Sequence, residues 1–441
     1  MNRGSQRIVE IGGLLVVLLV PLAFNPLQSN AFEPLKATLF QVITLLMALA
    51  VVIAPFGRAA GPDNPGSGSP SPAPRLVSGW PYLALAAAIA LATIFAADVQ
   101  RSLWTARPTA DGTLTWLSGV LFCWLLGQAL SKQRQATRLT RALVIGSAPV
   151  TVYGLIQAAG LDPLVWISDS VSPVLSTVGR SNYLAAYLVM VMPFTLALGL
   201  GGHEGRPAPR MGLLLALQLI CLLLTLARAA WLGLLLGVLA AGAALAWRQS
   251  AIQIAGLRRR WWLAGGLAVC LVGGGVLYAM STSALLQPAA YGMRPAVYAQ
   301  LRADSAAARL VFWRTSLRLL AGHWLLGYGP GAFGAVIAAA GPPELAAAGP
   351  AAALLDDPHN LWLDRLLQTG IVGLSAYLAL LLTAARRWLH AWRGAADRQA
   401  LFMLAAVLAA LIAYLVQAQV TPNVLTPDAL FWTLLALIAG L

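Results

Sequence analysis

The chain has 441 residues, 59% of them hydrophobic and only 10% charged, with a mean hydropathy of +0.76. A soluble domain is nearer half apolar and a quarter charged, so this composition excludes an ordinary soluble domain and predicts an all-α integral membrane protein. A net charge of +14 would suggest nucleic acid for a soluble chain, but the basic residues lie mainly in short segments between apolar runs, so no nucleic-acid partner is expected and the contacts are with membrane lipids.

A spanning helix takes about 20 mostly apolar residues. Twelve such runs follow one another. The first, 9–26, comes after Arg3 and Arg7 like a signal peptide; no small-residue cleavage site follows, so it is read as a retained anchor. Next are 37–55, a Pro/Gly/Ser-rich linker at 57–78, and runs at 80–97, 114–130, 142–160, 183–200, 211–226, 229–247 and 262–280. A long loop over 281–367 precedes three last runs at 371–385, 401–416 and 429–441. The organisation expected is therefore helices 1–9 over 1–280, a loop domain over 281–367, and helices 10–12 over 368–441.

Lys and Arg concentrate on the cytoplasmic side of short loops. With a cytoplasmic N-terminus, 18 of the 29 fall there, five fall in short outer loops (Lys36, Arg101, Arg107, Arg180 and Arg228), and six in the long loop. Both termini are thus expected to be cytoplasmic and the long loop extracytoplasmic. Trp247, Trp261 and Trp262 flank the cluster Arg258–Arg260 as interfacial anchors do.

Within the loop, Asp304 or Ser305 caps a helix running to about residue 321, with Leu310, Trp313, Leu317 and Leu320 on one face and Arg314 and Arg318 on another. Gly327-Tyr328-Gly329-Pro330-Gly331 breaks the chain, and 332–353, rich in Ala, Gly and Pro, reads as a flap. Asp357 is read as the N-cap and Pro358 as the first residue of a helix reaching 368–370, with His359 and Asn360 in its first turn.

Few side chains carry chemistry. Arg228 lies between two apolar runs, where a charge faces a cavity or partner, or snorkels to the interface. Arg309 is either an anion ligand or part of a solvated helix face. His359 lies outside at a helix start, and its free pKa of about 6.5 suits a general base; the alternative is a cap-region residue bonded to the loop. Arg180, Asn182 and Tyr183 open the sixth run from the outside, to line a cavity or to anchor the helix. Cys123, Cys221 and Cys270 fall inside apolar runs as small hydrophobes. Glu33 is the single carboxylate of the first outer loop, and the Asp356-Asp357 pair is more economically a helix cap than a cation site, so no metal or cofactor is expected. Phosphate-binding glycine loops, His-Glu-x-x-His, Cys-x-x-Cys and nucleophilic serine elbows are absent.

Three blocks in order resemble the O-antigen ligase family of membrane glycosyltransferases. Leu224-Thr225-Leu226-Ala227-Arg228-Ala229-Ala230-Trp231-Leu232-Gly233 is similar to its (S)R-x-x-W/L-G segment. Arg309-x-x-x-Trp313, then His323-Trp324-Leu325-Leu326-Gly327-Tyr328-Gly329-Pro330-Gly331-Ala332-Phe333, is similar to its hP-l-G-x-G-x-x-F segment. His359-Asn360-Leu361-Trp362-Leu363 through Gly370-Ile371-Val372-Gly373 is similar to its HN-x-x-L…G-x-x-G block, the most specific of the three. Ala227 stands where Ser is common, and Trp324 where Pro is common. The resemblance implies a GT-C-like fold and a polyprenyl-diphosphate-linked glycan donor. It implies metal-independent, inverting transfer to an acceptor hydroxyl at the outer face of the cytoplasmic membrane. It further implies His359, Arg309 and Arg228 as catalytic groups, with Asn360 and Trp313 of the matched blocks binding substrate; Arg180, Asn182 and Tyr183 are added as substrate-binding residues on their position at the outer start of the sixth run. The acceptor is a lipid, a glycan or a protein, which leaves a repeat-unit polymerase and a protein O-oligosaccharyltransferase as alternatives. A transporter is the alternative from another class; it would show internal repeats and mid-membrane charges, which this chain does not display.

Overall fold

The computed structural model describes residues 1–28, 30–53, 79–104, 111–130, 132–164, 174–201, 208–249, 309–310, 313–341 and 357–440. The linker at 57–78, the run at 262–280, the Arg258–Arg260 cluster and the expected helix start at 304–305 lie outside them. Among the described residues the secondary structure is helical, with no strand. The helices are α1 (Arg3–Leu19), α2 (Glu33–Ile53), α3 (Trp80–Ile94), α4 (Val99–Trp104), α5 (Thr113–Ala129), α6 (Gln133–Ala158), α7 (Ser181–Leu200), α8 (Pro209–Leu224), α9 (Arg228–Gln249), α10 (Phe333–Ala340), α11 (Leu361–Gly394), α12 (Arg398–Gln417) and α13 (Leu425–Ala439). Six of them, α2, α6, α7, α9, α11 and α12, are long and apolar enough to cross a membrane, and α3, α5, α8 and α13 are shorter apolar helices. The protein is a helical membrane protein, and among the described residues six of the expected dozen runs meet the length and composition of a span.

α7 and α13 form the centre. Leu184, Tyr187, Leu188, Val191 and Phe194 of α7, and Leu434, Ala436 and Ile438 of α13, are sealed from the surface. The other helices bury one face and leave the other apolar and open, as Leu45, Leu46 and Val52 of α2 do. A helix surrounded by lipid needs no polar outer face, which is why amphipathic periodicity is weak along this chain. Close helix approach then depends on small residues. On α9 a Cβ at Gly233 would stand 2.7 Å from the carbonyl oxygen of Ala413, and Gly237 meets the Ala409 carbonyl in the same way, so α9 and α12 pack backbone to backbone.

Three sequence expectations change here. Lys36 is not an outer-loop cation: it sits in α2, fully buried, and its Nζ donates to the carbonyl oxygens of Thr177 (2.7 Å) and Pro21 (3.4 Å). The Pro21 carbonyl also accepts from the Thr177 hydroxyl at 2.7 Å, so the buried ammonium shares a polar pocket with two backbone carbonyls and a hydroxyl. The helix expected from Pro358 starts at Leu361 instead; as expected it feeds into the run at 371–385, and α11 is the pair joined across a kink where Gly370 takes φ +63°. Part of the expected flap is the regular helix α10; 342–356 lie outside the described residues.

Candidate active site

The site is built at the end of the bundle where α11 begins. Asn360, not Asp357, is the N-cap: its Oδ1 accepts the N–H of Leu363 at 3.1 Å, and helical geometry starts at Leu361. The expected assignment fails because Asp357 is committed elsewhere. Its carboxylate takes the N–H of His359 on Oδ1 and that of Asn423 on Oδ2 (3.1 Å), while the Leu361 N–H reaches the Ala418 carbonyl at 2.9 Å. Asp357, 3% exposed, thereby ties the start of α11 to the α12–α13 turn.

The turn between them holds His359 at φ +55°, a left-handed conformation that costs a non-glycine residue about 1–3 kcal/mol unless its surroundings enforce it. The enforcement is visible: Asp357 grips the His359 N–H, Trp313 Nε1 donates to the Pro358 carbonyl at 3.0 Å, and His359 Nδ1 lies 2.9 Å from the Asp357 carbonyl oxygen. A carbonyl only accepts, so Nδ1 carries the hydrogen and Nε2 keeps its lone pair. The imidazole is mostly enclosed, with 19% of its side chain exposed. Burial lowers its pKa to about 4, opposed by the bond to Asp357 and assisted by the positive charges of Arg309 and Arg180. It is therefore neutral at pH 7 and able to take a proton.

Arg309 and Arg180 come from segments far apart in sequence, yet both bear on His359. Arg309 is half-buried; Arg180 is exposed at the N-cap of α7, its guanidinium 5.8 Å from the centre of the Tyr183 ring. Asn182 is exposed, and its backbone carbonyl accepts from Gln417 Nε2 at 2.8 Å. Arg228, the first residue of α9, is exposed, after a turn in which Leu226 takes φ +57° and Trp231 Nε1 donates to the Leu222 carbonyl at 3.1 Å. Among the described residues no hydrogen bond or ion pair links it to His359. The packing of α9 on α12 carries Arg228 to the end of α12 that meets Leu361, which is the His359 end of the bundle.

The glycine block of the loop locks onto this end. The N–H groups of Tyr328 and Gly329 donate to the carbonyls of Leu367 (2.8 Å) and Gln368 (3.0 Å), and those of Ile371 and Val372 return bonds to Trp324 (2.8 Å) and Leu325 (3.3 Å). A Cβ on Gly327 would come within 2.5 Å of the Leu367 carbonyl, and one on Gly370 would collide with the Leu325 carbonyl, so glycine is required on both sides. The second and third blocks seen in the sequence are therefore one packed unit. Trp313, Leu319, Leu320 and Tyr328 cover a small core of Phe333, Ile337 and Leu367. Leu310 and Leu317, expected on one face with Trp313 and Leu320, are exposed, while Thr315 and Ser316 take the inward positions.

Sequence reasoning missed a buried polar network beneath the site. Arg365, which it had counted as a loop cation, pairs with Asp364 (3.2 Å) and Asp428 (3.8 Å) and lies 3.8 Å over the Trp116 ring. Tyr414 links Asp428 (2.6 Å) to Asn423 (3.5 Å), whose N–H is the one held by Asp357. Asp111 is buried nearby, and burial, reinforced by Asp364 and Asp357, pushes its carboxyl well above the ordinary range. The signal was present in Asp364-Arg365, two adjacent charges at the head of an apolar helix. Among the described residues no three His, Cys, Asp or Glu side chains gather in a metal-binding arrangement.

No curated protein matches the chain. A sequence model of the family described as Wzy_C, O-Antigen ligase, matches residues 213–378, a segment spanning Arg228, Arg309, Trp313, His359 and the bend at Gly370, so over that segment this chain is similar to the O-antigen ligase family.

Proposed function

We propose that the protein is a glycosyltransferase that moves a glycan from a polyprenyl-diphosphate carrier to an acceptor hydroxyl, at the outer face of the cytoplasmic membrane with both termini inside. The observation that carries this reading is the convergence on His359. One neutral imidazole with a free Nε2 lone pair is held rigidly, with the guanidinium groups of Arg309 and Arg180 close enough to oppose its protonation. The family match supports transfer of surface glycan in general terms.

In this mechanism the acceptor oxygen attacks the anomeric carbon, its proton passes to His359 Nε2, and the bond from that carbon to the diphosphate oxygen breaks with inversion. Negative charge grows on the departing diphosphate. Guanidinium forks bind phosphate oxygens in pairs and stay protonated, so Arg309, Arg180 and, once substrate is bound, Arg228 take that charge without a metal. Trp313 and Asp357 position the histidine turn, Asn360 caps the helix below it, and Asn182 and Tyr183 line the mouth beside Arg180.

The test uses purified protein in lipid, a defined polyprenyl-diphosphate glycan, and lipid, glycan and protein acceptors in parallel. Transfer to one acceptor class, lost in H359A and R309A at unchanged melting temperature, supports the assignment and separates ligase, polymerase and protein glycosylation. Wild-type rates in both variants would remove it.

A further inference from the structure

The loop segment that carries Arg309 also presents an apolar surface that the protein core does not cover. Residues 309–310 and 313–323 are helical. At about 100° per residue, Leu310, Leu317 and Ala321 fall in one narrow stripe, continued by Trp324 and Leu325. Leu310 is 53% exposed, Leu317 56%, Trp324 57% and Leu325 49%. Arg314 and Arg318, also exposed, run along one edge of that stripe, while Thr315 and Ser316 face inward. In water such a patch is costly, because fully burying each large side chain is worth about 1.5–3 kcal/mol.

What covers it follows from where it ends. The carbonyls of Trp324 and Leu325 hold the N–H groups of Ile371 and Val372, the first residues of α11 beyond its bend, which are themselves exposed. From there the outward face of α11 continues through Leu378 and Leu382, on a helix long enough to span a membrane. On the neighbouring flank Gly329 packs against Ser102 and Ala96, beside the exposed Phe95, Val99 and Trp104. The stripe is thus continuous with the lipid-facing surface of the bundle, with tryptophans at its border and arginines along its edge.

We propose that this loop helix lies in the plane of the membrane surface on the loop side, with Leu310, Leu317 and Trp324 among the acyl chains and Arg314 and Arg318 at the level of anionic lipid phosphates. An amphipathic helix with this division of residues binds an interface by apolar burial together with attraction to anionic headgroups. Docking fixes the height of Arg309, the chain neighbour of Leu310, above the bilayer, where the diphosphate of a membrane-bound carrier would lie. The proposal rests on the chain being a membrane protein and not on the transfer reaction, and its readout is depth rather than activity.

The experiment places a nitroxide at L317C, and separately at L310C, in protein whose Cys123, Cys221 and Cys270 have been replaced by serine, reconstituted in vesicles of phosphatidylcholine with phosphatidylglycerol. A label at A339C on the exposed end of α10 is the aqueous control. Both stripe labels are expected to collide several-fold more with oxygen than with a water-soluble nickel chelate, and A339C the reverse. In anionic vesicles the double variant R314E/R318E is expected to raise the L317C label toward water, with a smaller change in pure phosphatidylcholine. Labels as open to nickel as A339C would overturn the proposal. So would labels shielded from both probes, which would mean that protein covers the stripe, or a depth indifferent to R314E/R318E in anionic vesicles.

Discussion

The two arginine-bearing halves of the site differ in how they are held. On the His359 side, every backbone turn is gripped: Asp357 spans from His359 to Asn423, Trp313 holds Pro358, and the glycine block exchanges four backbone bonds with α11. On the Arg228 side, the α8–α9 turn satisfies its own backbone through Thr225 and Trp231, and Arg228 itself is exposed. The first half is preorganised around a group that must sit within hydrogen-bond reach of a reacting hydroxyl. The second carries a charge that, on the proposed function, finds its partner in the substrate. A long cationic side chain can wait unpartnered at a surface, whereas a general base cannot be left to find its own orientation.

That contrast orders the expected effects of mutation. Removing the base is largest: H359A should lower transfer by about 10²–10⁴-fold, read with a fluorescent lipid-linked donor. R309A should cost about 10²–10³-fold, as loss of one charge-stabilising donor does. R228A is expected to lower transfer by about 10-fold or more with the melting temperature unchanged, since Arg228 is exposed and among the described residues no hydrogen bond or ion pair of its guanidinium is seen. Full activity in R228A would assign Arg228 to interfacial anchoring and leave the His359 half as the whole site.

The supports come next. D357N replaces an oxygen that accepts a backbone N–H with an amide donor, so one buried N–H loses its partner, at about 1–3 kcal/mol. Thermal unfolding in detergent should fall accordingly. Transfer should fall with it, because the His359 turn loses the contact that keeps it left-handed. G370A forces a side chain against the Leu325 carbonyl at φ +63° and should destabilise by a similar amount. If G370A left stability untouched, the loop and α11 would not be the single packed unit described above.

How much of this was legible in the sequence depended on whether the signal was local. The apolar runs marked α2, α7, α9 and α12 because a lipid-exposed helix announces itself by composition. The three motif blocks were legible as residues, and the glycines at 327–331 as a break in the chain, but not that the segments around Gly327 and Gly370 would pack backbone to backbone. Asp357 was misread because Asp before Pro is a strong local helix-start signal, while its true partners, His359 and Asn423, include one 66 residues away. Lys36 and Arg365 were counted by sign alone; burial of a charge is decided by carbonyls and carboxylates from other helices, which no periodicity reports. The approach of Arg180 to His359 was likewise beyond local pattern.

The smallest expected effect is a shift in pH dependence, and it separates the free enzyme from the loaded one. In the free protein burial and the two arginines hold His359 at a pKa of about 4, so kcat/KM should stay flat from neutral pH down to about 5 and fall only as the imidazole protonates. Diphosphate bound to Arg309 and Arg180 cancels their repulsion of an imidazolium, so the pKa rises and kcat should begin to fall at a higher pH than kcat/KM. Stability is a poor reporter of this step. A histidine whose folded pKa lies below its unfolded value of about 6.5 stabilises the fold least at low pH, the loss developing as pH drops from about 6.5 to about 4. Asp357, whose carboxyl burial pushes upward, acts with the opposite sign over the lower part of that range: its contribution worsens as pH rises from its unfolded value toward its folded one. The two offset in a melting curve but not in a rate. Coincident kcat and kcat/KM profiles would mean that the arginines near His359 do not hold the diphosphate, leaving Arg228 to do so.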